Sequence, residues 1–233
     1  MFLKYTYLII NLASISIPFI WSFEPKVNFI KYWKPLFAGI FAMMVIFIPW
    51  DVYFTKIGVW GFNENYITNI WILGLPLEEI LFFICIPYAS VFTHEALKFY
   101  LPKNPLQNLS KPITIFLSFL LLVVVAFHWG NYYTNSTFIL AVALIITLEF
   151  VLKAKFLVRI YFSFGIILIP FFIVNGLLTG SLIDEPIVWY NNHENLGIRI
   201  GTIPIEDAVY ALAMLITTIS VYEVVKDKAY KLN

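Results

Sequence analysis

Long apolar stretches dominate the pattern of hydrophobic and polar positions along this chain. An α-helix needs roughly 20 mostly apolar residues to cross the hydrocarbon core of a bilayer. Seven stretches meet this condition and predict spanning helices at residues 4–22, 35–55, 75–97, 112–129, 136–153, 156–177 and 204–225. A short turn around Lys153 and Lys155 joins the fifth helix to the sixth. The pattern therefore predicts an all-α integral membrane protein with seven transmembrane helices.

The composition agrees with a chain that is surrounded by lipid. Hydrophobic residues make up 61% of the 233 positions, the mean hydropathy is +0.85, and only 12% of the residues are charged. That charged share is about half of the usual value for soluble domains. The net charge of +1 gives no reason to expect a nucleic-acid partner, and the single cysteine, Cys85, cannot form an internal disulfide.

The first segment, Met1 to Trp21, has some features of a signal peptide. It has one basic residue, Lys4, but no clear cleavage site with small residues, and further apolar segments follow it. We therefore expect it to be kept as the first membrane helix.

Lysine and arginine residues are distributed unevenly between the two ends of the predicted bundle. One end has three of them, Lys4, Lys56 and Arg199. The other has twelve: Lys26, Lys31, Lys34, Lys98, Lys103, Lys111, Lys153, Lys155, Arg159, Lys226, Lys228 and Lys231. Because cytoplasmic loops carry an excess of cations, we expect a cytoplasmic C-terminus and an external N-terminus, in a bacterial inner (plasma) membrane. A chain with six spans would divide these cations more evenly between the two sides, so the charge distribution also supports seven.

The second and sixth loops carry matching series of residues, which indicates an internal repeat. After Thr55 the first reads Gly58-Val59-Trp60-Gly61-Phe62-Asn63 and then Leu75-Pro76-Leu77-Glu78-Glu79. After Thr179 the second reads Ile187-Val188-Trp189-Tyr190-Asn191 and then Ile203-Pro204-Ile205-Glu206-Asp207. The helix before each loop has a polar end, Trp50-Asp51 in one case and Asn175-Gly176 in the other.

The repeat predicts two three-helix units, residues 1–98 and 136–233, joined by a linking helix and its loops at 99–135. The linking helix crosses the membrane once more, so both units enter it in the same direction and the repeats are parallel. Both acidic motifs should therefore meet the same face of the membrane.

The acidic motifs have two interpretations. A proline at the first position of a helix, followed by acidic residues near the positive end of the helix dipole, is a common way to start a helix. Two copies in matching loops instead favour a functional site, because ionisable groups at membrane depth are costly and usually face a cavity. We therefore predict that the catalytic residues are Glu78, Glu79, Glu206 and Asp207.

Adjacent positions of a helix point about 100° apart. We therefore expect one carboxyl of each pair to reach a cavity while loop donors hold its neighbour. Such an arrangement can supply one protonated acid and one ionised base.

Other polar and aromatic residues leave alternatives open. Arg199 could hold a carboxylate through a bidentate pair or face lipid headgroups. Four tryptophans near the outer boundary could form an aromatic belt or stabilise a carbocation; they are Trp50, Trp60, Trp71 and Trp189. Glu149 is expected to snorkel or to pair with Lys153, four residues further on.

Motifs for cofactors and metals are absent from the sequence. It contains no G-x-G-x-x-G loop, no H-E-x-x-H motif and no Asp-rich prenyl-diphosphate motif, so no cofactor and no metal site is expected. His94, His128 and His193 lack metal-ligand spacing, lie in or near predicted loops and are assigned no role. The pair Glu78-Glu79 is similar to that of CAAX-type intramembrane proteases, but Phe83 stands where those enzymes carry an arginine.

Taken together, the motifs resemble the cofactor-independent lycopene cyclase family. Its members occur as two-subunit bacterial cyclases and as the cyclase domain of fungal bifunctional carotenoid enzymes. The resemblance covers nearly the whole chain and rests on Pro49-Trp50-Asp51, Gly58-Val59-Trp60 with Asn63, Leu75 to Glu79, Asn175-Gly176 with Leu178-Thr179, and Arg199-Ile200 through Pro204 to Asp207. The two halves correspond to the two subunits of the split enzymes. The sequence has no phytoene-synthase-like extension, so we expect a cyclase domain only.

The resemblance implies a reaction, a substrate and a set of binding residues. The expected activity is a non-redox, proton-initiated cyclisation of lycopene or a related acyclic carotenoid to β-type rings, catalysed by an isomerase (intramolecular lyase) without a cofactor. The expected substrate-binding residues are Trp50, Asp51, Trp60, Asn63, Asn175, Trp189 and Arg199. The bilayer is the other expected partner, and a homo-oligomer or contact with other carotenoid enzymes is compatible with the resemblance.

A small-solute transporter is the main alternative. Parallel three-one-three repeats also occur in sugar transporters of the SWEET type. Those carry a Pro-Gln pair at helix kinks, which this chain lacks, and their polar groups lie at mid-membrane rather than near the boundary. A purely structural scaffold gives no reason for two matched acidic loops.

Overall fold

Seven long helices form the molecule in the computed structural model, which describes residues 3–230 and, for Tyr230, the backbone only. Met1 and Lys231, used above in the predictions of the first helix and of the loop charge, lie outside the described residues. The helices are α1 (Thr6–Trp21), α2 (Trp33–Ile57), α3 (Leu77–Tyr100), α4 (Ser110–Phe127), α5 (Tyr132–Ile146), α6 (Leu157–Leu178) and α7 (Ile205–Tyr230). Together with short turns that extend α1, α2 and α5, each is long and apolar enough to cross a membrane. The predicted architecture is confirmed, with helix ends shifted by a few residues.

Each acidic motif opens a helix directly after a short hairpin. Strand β2 (Trp71–Ile72) pairs with β3 (Leu75–Pro76), and β5 (Arg199–Ile200) pairs with β6 (Ile203–Pro204). The interpretation of the motifs as simple helix starts would place Pro76 and Pro204 at the first helical position. Each instead ends a strand and precedes the helix, with Pro76 in an extended conformation at φ −65° and ψ 149°. The acidic residues still lie in the first helical turn.

The two repeats are joined by a strand pair across their matching loops. Strand β1 (Trp60–Phe62) runs antiparallel to β4 (Val188–Tyr190), with Trp60 opposite Tyr190. The flanking backbone bonds are reciprocal, because Asn63 N–H donates to the Ile187 carbonyl and Asn191 N–H donates to the Val59 carbonyl, both at 2.8 Å. Equivalent strands that pair antiparallel are related by a local twofold rotation, and for parallel repeats we expect that axis to lie along the membrane normal. We call this side of the bundle, with residues 58–76 and 179–204, the loop end.

Packing inside the bundle differs between the two repeats. Helix α2 lies tightly against α7 because Gly39 has no side chain; a Cβ atom there would lie 2.5 Å from the Thr218 carbonyl oxygen. Helix α6, which corresponds to α2, stands less closely against α3 and α1. This looser packing leaves space between α1, α3, α6 and α7, and the cavity described below occupies it.

Two crossed ion pairs connect α3 and α7 at the end of the bundle opposite the loops. Glu95 and Lys98 on α3 have the same spacing as Glu223 and Lys226 on α7. Lys98 Nζ lies 2.6 Å from Glu223 Oε1, and Lys226 pairs in turn with Glu95. The spacing therefore belongs to the internal repeat, although it was not among the motifs recognised in the sequence.

Two further side chains complete these crossed ion pairs. His94 Nε2 lies 3.0 Å from Glu223 Oε1, and Tyr222 donates a hydrogen bond of 2.9 Å to Glu95 Oε2. The placement of His94 in or near a loop was wrong. It is fully buried within α3, and its Nδ1 atom lies 2.8 Å from the Ser163 hydroxyl.

The predicted pair of Glu149 and Lys153 is also absent among the described residues. Ser110 instead donates a hydrogen bond of 2.5 Å to Glu149 Oε2. A π-helical turn, Thr147–Val151, ends α5, and Lys153 has a positive φ of 50°. The regular spacing that brings residues i and i+4 together is therefore lost at this point.

The crossed ion pairs should be important for stability. Lys226→Met leaves the buried Glu95 carboxylate without its closest cation, and removing one partner of a buried pair costs about 3 kcal/mol. We expect a clearly lower midpoint of thermal unfolding in detergent. Lys228→Met, at an exposed position of the same helix, is the matched control and should change the midpoint little. Equal midpoints for the two variants would contradict a stabilising role.

Candidate active site

A cavity with a volume of about 370 Å³ extends from the loop end into the bundle. This volume lies within the range of small-molecule binding sites. The walls come mainly from α1, α3, α6 and α7, with contributions from the β1 and β4 loops. Most lining side chains are apolar, and the carboxyl groups among them, Asp51, Glu79 and Asp207, belong to the loop-end turns of α2, α3 and α7.

Glu79 is the member of the first acidic pair that reaches the cavity. Its Oε2 atom accepts a hydrogen bond of 2.6 Å from the Tyr7 hydroxyl on α1. Glu78 points elsewhere and is fully buried, and its Oε1 atom accepts a hydrogen bond of 2.8 Å from the backbone N–H of Thr68. Asn11 adds a bond from its side-chain amide to the Glu78 carbonyl. Glu78 therefore ties its own loop to the start of α3.

The second pair repeats this arrangement with Asp207 in the cavity. The Asp207 oxygens accept hydrogen bonds from the hydroxyls of Tyr133 at 2.6 Å and Tyr190 at 2.9 Å. Glu206 Oε1 accepts two bonds of 2.7 Å, from the Thr134 hydroxyl and the backbone N–H of Leu196. The expectation of one inward carboxyl per pair therefore agrees with the structure. The catalytic roles assigned to the four acids stay a prediction.

Asp51 brings a third carboxyl group to the same place. It is 2% exposed, and its Oδ1 atom accepts a hydrogen bond of 2.5 Å from the indole N–H of Trp60. The Oδ2 atom is buried and has no hydrogen-bond partner among the described residues. Asp51 lines the same cavity as Glu79 and Asp207. Carboxyls from both repeats therefore converge at one site.

Aromatic rings form a wall around these carboxyls. Tyr133 and Tyr190 stack with ring centroids 5.9 Å apart and an angle of 18° between their planes. Trp60 meets Tyr133 edge to face at 5.1 Å, and Tyr210 lies 6.1 Å from Trp60. We call Trp60, Tyr133, Tyr190 and Tyr210 the aromatic wall. The faces of such rings carry partial negative charge and attract cations.

Some of the predicted binding residues lie outside the cavity. Asp51, Trp60 and Asn175 line it, whereas Trp50 packs behind the aromatic wall, 5.5 Å from Tyr210. Trp189 is 43% exposed, and its indole covers Gly61 so closely that a Cβ atom there would collide with it. Trp71, the remaining tryptophan of the four near the outer boundary, was not among the predicted binding residues and is 45% exposed in β2.

Asn63 and Arg199 have roles within the loops instead. The Asn63 side chain donates a hydrogen bond to Glu185 and caps the backbone N–H of Asn65. Arg199 makes no bidentate pair with a carboxylate among the residues described. Its guanidinium donates to the Thr202 carbonyl and to Asn192, and it lies 5.9 Å from the centre of the Tyr190 ring. Hairpin geometry explains this, because β5 turns Arg199 back toward its own loop.

The hydroxyl donors of the site were missed in the sequence. Tyr7 near the start of α1 and Tyr133 near the start of α5 occupy equivalent places, and each donates to the inward carboxyl of its own repeat. Their backbone N–H groups also make equivalent bonds, to the carbonyls of Tyr66 and Glu194. An extension of the repeat comparison to the first helix of each unit would have found this pair.

Tyr190 gives the site a pH-dependent contribution to stability. Burial and the neighbouring Asp207 carboxylate raise the pKa of the Tyr190 hydroxyl well above its ordinary value. Its stabilising effect is therefore fully present below about pH 10, the pKa of an unfolded tyrosine, and is lost as the pH rises further. We expect Tyr190→Phe to unfold at a lower temperature than the parent protein near neutral pH, and the difference to narrow above about pH 10.

The control for this measurement is Trp189→Phe, which changes the neighbouring ring without removing a titratable group. Its difference from the parent protein should not follow the same pH dependence. A constant difference between Tyr190→Phe and the parent protein across the alkaline range would contradict the assignment.

Comparison with known proteins agrees with this architecture. The family model "Lycopene cyclase" matches residues 4–97 and 130–225, which correspond to the two three-helix repeats and leave out α4. A segment of 83 residues is 29% identical to the bifunctional lycopene cyclase/phytoene synthase of Phaeosphaeria nodorum. That match covers 32% of this chain and 14% of the fungal protein. No solved structure matches the chain. Because the family model covers most of its length, including both acidic motifs, the chain belongs to the lycopene cyclase family.

Proposed function

We propose that this protein closes the end rings of lycopene, or of a related acyclic carotenoid, by acid–base catalysis as an isomerase. One observation carries the proposal: carboxyl groups from both repeats, Asp51, Glu79 and Asp207, meet at one end of a cavity whose other lining residues are uncharged and mostly apolar. The family match supports carotenoid cyclisation and disfavours the transporter alternative. Such a reaction needs an acid, a base and a site that excludes water.

Glu79 is proposed as the acid. Only its Oε2 atom is engaged by Tyr7, which leaves Oε1 to present a proton to the cavity. Transfer of this proton to the terminal double bond of the substrate uses that π electron pair and leaves a tertiary carbocation. The π pair of the internal double bond then attacks the cation, and the new carbon–carbon bond closes a six-membered ring.

Asp207 is proposed as the base. Two tyrosine hydroxyls donate to its oxygens, as expected for a carboxylate that acts as an acceptor. Ring closure leaves the positive charge on a ring carbon. Transfer of a proton from a neighbouring carbon to Asp207 then forms the double bond, so one proton is added and one is removed, and exchange with solvent restores the protonated Glu79 and the ionised Asp207. The substrate and the product have the same composition, so nothing is oxidised or reduced. The proton that is removed determines whether a β-type ring results.

Asp51 and the aromatic wall are proposed to stabilise the cation between these two steps. The buried Asp51 carboxyl supplies negative charge, and Trp60 orients it through a hydrogen bond of 2.5 Å. Ring faces attract cations most strongly where both groups are removed from water. Preorganised charge of this kind lowers the energy of a cationic intermediate without rearrangement of the site.

The acids that line the cavity, Glu79 and Asp207, should contribute far more to catalysis than Glu78 and Glu206, which bind the loops. Glu79→Gln and Asp207→Asn remove the proposed acid and base, so we expect cyclisation to fall at least about 100-fold, a usual contribution of general acid–base catalysis. Glu78→Gln and Glu206→Gln are the matched controls. They keep the acceptor oxygen that holds the loop and should lose less than about tenfold. Carotenoids from lycopene-producing cells give the measurement, with each variant normalised to its amount in the membrane.

Isotope incorporation tests the proposed chemistry independently of expression level. When the reaction runs in D2O, the product should carry one deuterium for each ring formed, because the acid exchanges with solvent between turnovers. Equal activity in all four acid variants, or a product without deuterium, would refute the proposed mechanism.

We also propose that the loop end lies outside the cytoplasm, because among the described residues three cations lie on that side of the bundle and eleven on the opposite side. Cysteine variants can test this orientation with a membrane-impermeant maleimide applied to intact cells. Asn65→Cys, exposed at the loop end, should be labelled, and Lys228→Cys, exposed at the opposite end, should not. The reverse pattern would invert the orientation.

A further inference from the structure

The cavity continues far beyond the carboxyl groups. Glu79 and Thr93 on α3 both line it, and at about 1.5 Å per residue the helix between them spans roughly 20 Å. We call this continuation the deep arm; it is lined by Ala13, Ser14, Ile86, Ala89, Ser90, Thr93, Phe164, Ile167, Met214 and Leu215. None of these side chains carries a charge. The cavity is therefore a long, mostly apolar slot with its acids at one end.

Small side chains create the width of the deep arm. Ala13 and Ser14 face it from α1, and Ala89 and Ser90 face it from α3. The opposite sides carry larger apolar side chains of α6 and α7, such as Phe164 and Leu215. A bulky residue at position 89 would therefore occupy space that the deep arm now leaves open.

The side of the slot between α1 and α6 faces the surroundings of the bundle. Ile17 on α1 lines the cavity and is 67% exposed, and the neighbouring lining residues Ala13 on α1 and Pro170 on α6 are exposed as well. These residues belong to helices that are long and apolar enough to span a membrane, so we expect the opening to meet lipid hydrocarbon rather than water. A ligand dissolved in the bilayer could reach the slot without crossing the polar loops.

We infer that the deep arm holds the chain of a long linear polyene, which enters sideways from the bilayer between α1 and α6 and presents one end group to the carboxyls. The small side chain of Ala89 then determines whether a long substrate fits. This inference rests on the proposed function and adds to it the place of the polyene chain, its route of entry and a residue that limits substrate length. A short terpenoid would fill only the acidic end, whereas a linear carotenoid would use the full length of the slot.

A larger side chain at position 89 should disfavour long substrates relative to short ones. The stretch of α3 from Glu79 to Ala89 spans about 15 Å, so an acyclic polyene shorter than this, with the same end group as lycopene, ends before the altered position. We expect Ala89→Trp to lower the ratio of lycopene turnover to turnover of the truncated polyene at least about tenfold, which is within the range that pocket size can discriminate. The purified protein in lipid vesicles is assayed with each substrate separately.

Ala143→Trp is the matched control, because Ala143 is an exposed residue of α5 outside the cavity. It should leave the ratio unchanged. If Ala89→Trp does not accumulate in the membrane, Ala89→Leu takes its place in the same comparison. A well-folded variant with an unchanged ratio, including one that loses both activities equally, would overturn the assignment of the deep arm. Failure of the parent protein to cyclise either polyene would instead refute the proposed function.

Discussion

The burial of carboxyl groups inside an apolar bundle is the constraint on which the rest of this structure depends. Burying a carboxyl group in a membrane costs free energy unless other polar groups form hydrogen bonds with it. Tyr7 and Tyr133 donate hydrogen bonds to the acids in the cavity, Glu79 and Asp207. The other acid of each pair accepts a hydrogen bond from a loop backbone N–H group, that of Thr68 or Leu196. The loops at this end are held by the same bonds that satisfy the acids. The candidate site and the loops that support it therefore share one hydrogen-bond network.

The internal duplication allows a chain of this size to build both ends of that network. At the loop end β1 pairs with β4, and at the opposite end the crossed ion pairs connect α3 with α7. Each of these contacts joins a residue of one repeat to a residue of the other, so the strands at the loop end and the buried ions at the opposite end are paired between the units. The twofold arrangement also brings Glu79 and Asp207 to the same cavity. The proposed unit boundaries at residues 98 and 136 stay a prediction.

The departure from symmetry is as important as the repeat itself. Gly39 lets α2 press against α7, whereas α6 leaves a slot beside α3. Acids from both repeats, Glu79 and Asp207, line this slot. A single slot with acids from both repeats can place an acid and a base on one end group, as the proposed reaction requires.

The sequence alone was sufficient to predict the seven helices, the duplication and the acidic motifs. The lengths of apolar segments and the repetition of motifs can be read directly from the order of the residues. It also predicted that only one acid of each pair faces a cavity, since the helical period requires it. Only the tertiary structure decided which acid that is, and it placed Asp51 beside Glu79 and Asp207 while keeping Arg199 and Trp189 outside. These outcomes depend on how hairpins turn and how closely helices approach, and both follow from contacts between residues that are distant in the chain.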